Sequence, residues 1–182
     1  MINLIAAASI AKELPKVALD KISEIGNTVS PTQFMLKTIL ELPLESLKTI
    51  NTCLEGLEHP ITKVPFVRKI VEFQGRVIDG VFPEFESSFD AKLDESQYTD
   101  TDAEQFDEAN RQLLDEVRNN EELRNQFTQE QLEQIENGDT PDGYTWHHKE
   151  DPGVMQLVKT EIHQRTAHTG GRSIWGGGSQ NR

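Results

Sequence analysis

The sequence predicts an α+β protein that is mainly helical, with a small strand–loop–strand–helix module at the C-terminus and a short β-hairpin near residues 63–82. Three observations predict this class. Apolar residues recur at helical spacing over much of the chain, β-branched and aromatic residues fill 63–82, and bulky and polar residues alternate over 144–148. A chain of 182 residues holds one ordinary domain, or a small domain with a helical extension.

The first 60 residues predict three short amphipathic helices. Their apolar stripes run over 2–25, 34–42 and 44–57. No pattern in this segment points to chemistry, so we assign residues 1–60 to delivery, entry or interaction. The change to β-branched residues that follows predicts a functional domain over 61–182.

Helical spacing returns in the middle of the chain. Phe106, Leu113 and Val117 belong to one amphipathic segment, with Asp102 as the expected N-cap. Thr128 is placed to begin the next helix through a capping box. Helices are therefore expected between residues 100 and 138.

The charge is strongly negative and unevenly distributed. The net charge is -13, whereas nucleic-acid-binding proteins usually present a basic surface. Residues 98–142 hold 14 acidic residues against three arginines, while 143–182 hold five basic residues against three acidic ones. The acidic segment is read as a solvated helical surface, with repulsion of nucleic acid or contact with a partner as the alternative.

Cysteine content and hydropathy argue against disulfides, cysteine zinc sites, signal peptides and membrane spans. The single Cys53 rules out an intrachain disulfide and a C-x-x-C zinc site. The mildly apolar start lacks a basic leading region and is interrupted by Lys12 and Glu13, so neither a signal peptide nor a membrane span is expected.

Four of the five histidines lie near the C-terminus. His147 and His148 are adjacent, His163 and His168 follow, and only His59 lies elsewhere. Imidazole is the commonest metal ligand in proteins and accepts a proton near neutral pH. The cluster therefore predicts a cation site with one ring left as a base, in a metal-dependent hydrolase.

The histidine spacing sets two geometric requirements. Neighbours on a strand point to opposite sides, so His147 and His148 face different surroundings. His163 and His168 are five residues apart, about 140° around a regular helix. The helix must therefore end before His168, and Gly170 and Gly171 suit such an end.

Several separated segments resemble a known family. They are Val64–Lys69, Gly80–Ser87, Thr140–His148, Asp151–Val158, Ile162-His163 and His168–Arg172. Together they are similar to the HNH/endonuclease VII superfamily, and within it to the subgroup named for its Trp-His-His motif, found as C-terminal toxin domains of bacterial polymorphic toxins. The resemblance covers roughly 61–182 and implies a ββα-metal (His-Me finger) core over about 143–175.

The resemblance also implies roles for individual residues. His147, His163 and His168 would bind one divalent cation, and His148 would be the general base that activates water. Gln156 occupies the position at which the wider superfamily has an asparagine that orients the base. The set assigned to catalysis is therefore His148, His147 and Gln156.

Phosphodiester hydrolysis agrees with these roles. It requires an activated water and positive charge near the developing oxyanion. Nitrogen ligands favour zinc or nickel, while magnesium or manganese remain open as the metal used in the cell. Arg172 and Lys149, with the backbone of Gly170 and Gly171, are the expected phosphate contacts.

The sequence thus predicts an HNH endonuclease, with DNA as the favoured substrate. It would be made in the bacterial cytoplasm, exported by secretion machinery or as part of a larger parent toxin, act in the cytoplasm of a target cell, and be silenced in its producer by a cognate immunity protein. Three alternatives stay open: an RNase using the same site, a non-catalytic metal-stabilised interaction module, and a helical adaptor with a disordered tail.

Overall fold

The computed structural model describes residues 44–178. The chain separates into two compact units. The larger contains 46–71 and the chain from 79 onward, and it includes all five histidines. The described residues of the smaller unit are 44–45 and 72–78.

Strands and helices are both well represented in the described chain. The strands are β1 (Leu44–Ser46), β2 (Phe66–Phe73), β3 (Arg76–Pro83), β4 (Ser87–Lys92), β5 (Tyr144–His148) and β6 (Val154–Lys159). The helices are α1 (Asp102–Asn119), α2 (Glu121–Arg124), α3 (Gln129–Glu136) and α4 (Thr160–Arg165), with short 3-10 turns at Thr52–Leu54, Glu95–Gln97 and Gly171–Ser173. The strands form two three-stranded sheets, ordered β1-β3-β2 and β4-β6-β5.

The prediction of a mainly helical protein is wrong. Residues 44–178 form a mixed α/β structure in which strands are as prominent as helices. The apolar stripe over 44–57 forms β1 and a 3-10 turn instead of the predicted third helix. Leu44 and Leu57 are exposed there, so the stripe does not bury a helical face. The other two helices predicted for the N-terminal segment lie outside the described residues.

The second sheet positions the histidines. Strand β6 lies in its centre and pairs antiparallel with β4 and β5, so that Gln156 lies between Asp90 and His147. The predicted strand, loop, strand and helix are present as β5, β6 and α4. Strand β4 was not predicted, because its mixed Ser-Ser-Phe-Asp-Ala-Lys sequence lacks a clear alternation.

Helices α1 and α3 begin at capping boxes. Thr101 caps α1, one residue before the predicted Asp102, and Thr128 caps α3 as predicted. One face of the second sheet packs on α1, where Trp146 donates a hydrogen bond from Nε1 to Oδ1 of Asn110 at 2.8 Å. None of the helices described between residues 44 and 178 has the length and apolar character needed to span a bilayer.

Candidate metal centre and general base

Three imidazole rings converge between β5, α4 and the loop that follows α4. Nδ1 of His147 lies 3.3 Å from Nε2 of His163 and 3.2 Å from Nε2 of His168. One ligand atom from each of the three residues lies within 4.8 Å of the other two. The structure therefore brings together the three residues that the sequence predicts as metal ligands, and this triad could hold a metal ion.

The two spacings measured from Nδ1 of His147, to Nε2 of His163 and to Nε2 of His168, fit a divalent cation. Zinc–imidazole bonds of 2.0–2.1 Å in a tetrahedral site place neighbouring nitrogens about 3.3 Å apart. Nδ1 of His168 lies 2.6 Å from the carbonyl oxygen of Thr166. A carbonyl only accepts, so Nδ1 carries the proton and the neutral ring directs the Nε2 lone pair at His147. This lone pair of His168 is directed into the space between the three rings, where a cation could bind.

The end of α4 brings His168 back to the site. The helix ends at Arg165, and Thr166 then adopts an extended conformation with φ -107° and ψ 91°. Thr166 is 1% exposed, and its hydroxyl donates to the carbonyl of Ile162 at 2.8 Å. The predicted end of the helix before His168 is confirmed, and Thr166 fixes the turn that places the ring.

Phe85 lies against all three rings. Its centroid is 4.8, 5.4 and 5.0 Å from the centroids of His147, His163 and His168. Burial, followed by the charges of the neighbouring histidines, lowers the pKa of His147 well below its ordinary value and that of His163 to about 4. Burial also lowers the pKa of His168, opposed by its hydrogen bond to Thr166. The three rings are therefore neutral at pH 7, the state in which imidazole binds metals.

His148 points to the other side of the sheet, as strand alternation predicts. Its Nε2 lies 2.7 Å from Oε1 of Gln105 in α1, and its ring centroid is 5.3 Å from that of Trp175. Burial lowers the pKa of His148 to about 4. The predicted base is thus neutral at pH 7 and is held by a helix that contributes nothing to the triad.

Gln156 does not reach His148 and contacts a different residue. It pairs across the sheet with His147, and its Nε2 donates to Oδ1 of Asp90 at 3.2 Å. Directly paired residues of antiparallel strands share one face, so Gln156 lies on the face of His147. The structure places no hydrogen bond between Gln156 and His148, and the orienting role of Gln156 stays a prediction.

One family model matches the chain. It describes the DNase/tRNase domain of colicin-like bacteriocins and matches residues 74–170. The matched segment is more than half of the chain and contains His147, His148, His163 and His168.

The chain belongs to this family of nuclease toxin domains.

No similar protein was found among curated proteins or solved structures. The predicted nuclease toxin domain is therefore confirmed at the level of the colicin-type family. Membership of the HNH superfamily and of its Trp-His-His subgroup stays a prediction.

The cationic residues predicted to contact phosphate are both ion-paired in this colicin-type domain. Arg172 pairs with Asp102 at the start of α1, and its Nε donates to the carbonyl of Gly178 at 2.8 Å. Nζ of Lys149 lies 2.6 Å from a carboxylate oxygen of Asp151. A phosphate that bound either residue would compete with a carboxylate already in place.

Gly170 and Gly171 allow the loop after α4 to lie against the end of β5. A Cβ at Gly170 would come 2.8 Å from the carbonyl oxygen of His148 and 3.1 Å from Cε1 of His147. A Cβ at Gly171 would overlap the carbonyl of Lys149 outright. In this nuclease domain the two glycines therefore give close packing beside the histidines, and their predicted phosphate contact stays a prediction.

Three residues that build the site were not predicted from the sequence: Phe85, Gln105 and Thr166. Phe85 lies within the Gly80–Ser87 segment that carries the family resemblance, which was a usable signal. Gln105 is one of several polar residues in an acidic helix, and nothing in its local sequence separates it from exposed glutamines.

Proposed function

We propose that this domain is a metal-dependent endonuclease of the HNH type that hydrolyses phosphodiester bonds, with DNA as the favoured substrate. The observation that carries the proposal is the convergence of Nδ1 of His147 with Nε2 of His163 and of His168 at 3.2–3.3 Å. Membership of the colicin-type DNase/tRNase family supports the same chemistry. RNA is the second candidate substrate, because the family description covers tRNases as well as DNases.

Each histidine has a distinct task in this proposal. His147, His163 and His168 hold one divalent cation, which supplies Lewis-acid stabilisation of negative charge when bound. His148 accepts a proton from water at an imidazole nitrogen, the oxygen attacks phosphorus, and the bond to the leaving oxygen breaks. The low pKa of His148 keeps its ring unprotonated at neutral pH. Zinc or nickel best suits three nitrogen ligands, with magnesium or manganese as the alternatives.

An inhibitor follows from the same activity. A nuclease of this kind would attack the nucleic acid of the cell that makes it, so we infer a cognate immunity protein. We further propose that the domain reaches a competing cell through secretion machinery or as part of a larger toxin. Production of the wild-type chain should arrest growth, whereas production of His148→Ala should not.

Cleavage assays with purified protein test the enzymatic proposal. Supercoiled plasmid and structured RNA are incubated separately with wild type, His148→Ala and His163→Ala, with each metal added in turn and with chelator. Wild type should nick plasmid only with metal, and both variants should lose cleavage. Inactivity of wild type on both substrates with every metal would instead favour the metal-stabilised interaction module.

His59→Asn is the matched control. Nδ1 of His59 accepts a hydrogen bond from the backbone N–H of Thr62 at 3.2 Å, and the side-chain oxygen of asparagine can replace that acceptor. This variant removes a histidine outside the cluster, so it should cleave as wild type does. Equal loss in His59→Asn and His163→Ala would show that a general loss of stability explains both.

A further inference from the structure

Gln105 has the geometry to fix the orientation of His148. Its side chain is fully buried, at 0% exposure. Its amide Nε2 donates to the carbonyl oxygens of Gln97 and Tyr98, at 2.8 and 2.9 Å. Its Oε1 lies 2.7 Å from Nε2 of His148. Both hydrogens of the amide are therefore used on the main chain, and the orientation of the amide is fixed.

This arrangement determines where the proton of the neutral imidazole lies. An amide oxygen only accepts hydrogen bonds, so Nε2 of His148 must be the donor. A neutral imidazole has one N–H, and Nδ1 is therefore the nitrogen with a free lone pair. The nearest carboxylate does not compete for Nε2, because Oδ1 of Asp102 is 3.7 Å away, beyond hydrogen-bond distance, and is paired with Arg172.

We propose that Gln105 is a positioning residue that holds His148 as the Nε2–H tautomer and leaves Nδ1 as the atom that accepts the proton from water. The inference rests on the proposed role of His148 as general base. It assigns to Gln105, on α1, the orienting task that the family resemblance suggests for Gln156, which bonds to Asp90 on the other face of the sheet.

Packing on the ring supports a positioning role. The centroids of Trp175 and Phe106 lie 5.3 and 6.0 Å from that of His148. These contacts restrict the plane of the imidazole but carry no acceptor aimed at its nitrogens. Within the described chain, Gln105 supplies the one hydrogen bond to His148 that distinguishes the two tautomers.

Nitrogen NMR of the metal-free protein tests the tautomer directly. In ¹⁵N-histidine-labelled protein at about pH 8, above the ordinary histidine pKa, protonated and unprotonated ring nitrogens resonate far apart. His148→Ala identifies the signals of residue 148. Wild type should show Nε2 protonated and Nδ1 unprotonated, and Gln105→Met, which keeps the side-chain length but lacks the acceptor, should show mixed tautomers.

Gln112→Met provides the matched control on the same helix. Gln112 also bonds to main chain, with Nε2 donating to the carbonyl of Lys92 at 2.8 Å, but it has no bond to a histidine. This variant should keep the wild-type spectrum and the wild-type kcat. Gln105→Met should lower kcat roughly 10–100-fold, the usual loss for an outer partner of a catalytic site, with KM little changed.

The outcomes separate this inference from the proposed function. Wild-type spectra with Nδ1 protonated, or identical tautomers in wild type and Gln105→Met, would overturn the role of Gln105 while leaving metal-dependent cleavage intact. A wild type that cleaves neither DNA nor RNA would overturn the proposed function and with it the catalytic role of both residues, whatever the tautomer.

Discussion

His147 and His148 are adjacent in β5, and their side chains lie on opposite faces of the same sheet. Nδ1 of His147 faces the other two histidines of the triad at 3.2–3.3 Å, whereas Nε2 of His148 faces Gln105 at 2.7 Å. Strand alternation alone separates the two rings. The proposed metal binding and the proposed proton transfer would therefore depend on different neighbouring residues, and substitutions should affect one without the other.

Substitution of His148 should remove cleavage and leave metal binding intact. General base catalysis contributes typically 10²–10⁴-fold, so kcat of His148→Ala should fall on that order. Titration with zinc should give a wild-type affinity, because the ligand atoms belong to other rings. Loss of zinc binding in this variant would place His148 among the ligands and contradict the assignment.

Loss of a triad histidine should abolish metal-dependent stabilisation. A ligand that binds only the folded state at about 100 times its Kd raises the free energy of unfolding by about 2.7 kcal/mol. Zinc should therefore raise the Tm of wild type and His59→Asn, and chelator should reverse the shift. His168→Ala should show little shift. An equal zinc effect in wild type and His168→Ala would contradict the site.

The metal-free protein should lose stability as the pH is lowered from about 6.5 to 4. Burial lowers the pKa of His148 and of His163 to about 4 in the folded state, whereas an unfolded histidine titrates near 6.5. Between these values the unfolded chain binds more protons, so falling pH favours unfolding, and the full stability is present above 6.5. Urea denaturation in chelator at several pH values measures the effect.

Replacing one of these histidines measures how much its ring contributes to the pH dependence of the free energy of unfolding. His163→Gln should lose less unfolding free energy over the same pH range, because it lacks one buried ring that must be protonated. The carboxylates that titrate in this range are unchanged, so part of the loss should remain. Parallel curves for wild type and His163→Gln would show that His163 contributes nothing to the pH dependence.

Alanine should be tolerated less well at Gly171 than at Gly170. The added methyl group at Gly171 overlaps the carbonyl of Lys149, whereas at Gly170 the nearest atom is the carbonyl oxygen of His148 at 2.8 Å. Overpacking usually costs about 1–3 kcal/mol, and we expect Gly170→Ala in that range and Gly171→Ala above it. Urea denaturation measures both, and the reverse order would contradict the packing of this loop.

Breaking the Lys69–Glu150 ion pair should destabilise the domain. Glu150 follows β5 and is 1% exposed, and its Oε1 lies 2.6 Å from Nζ of Lys69. Lys69→Met leaves the carboxylate buried without its cation, which should cost about 3 kcal/mol, the low end for a buried pair because the lysine is partly exposed. Adding Glu150→Leu should recover much of this loss.

An exposed pair provides the comparison for Lys69→Met. Arg165 and Glu161, 3.0 Å apart on α4, are both largely exposed. Arg165→Met should cost only about 0.3–0.5 kcal/mol. If Lys69→Met and Arg165→Met lowered the free energy of unfolding equally in urea denaturation, burial of Glu150 would not determine the cost of losing its ion pair.

Local patterns predicted part of this fold well. The alternation over 144–148 identified β5, and the capping residue Thr128 identified α3. The five-residue spacing of His163 and His168 required the helix to end before His168, and it ends at Arg165. The prediction of a helix from the apolar stripe over 44–57 was wrong: the spacing fits a helix, but Leu44 and Leu57 are exposed. Spacing alone does not show what a stripe packs against.

The sequence by itself determined the chemical inventory: four histidines near the C-terminus, on a strand, a helix and a loop that direct them to two sides of a sheet. Only the tertiary structure decided their surroundings. Phe85 covers the triad and Gln105 holds His148 from a helix 43 residues earlier in the chain. Burial and hydrogen-bond partners set the pKa and the tautomer of an imidazole, and both depend on residues that only folding brings close.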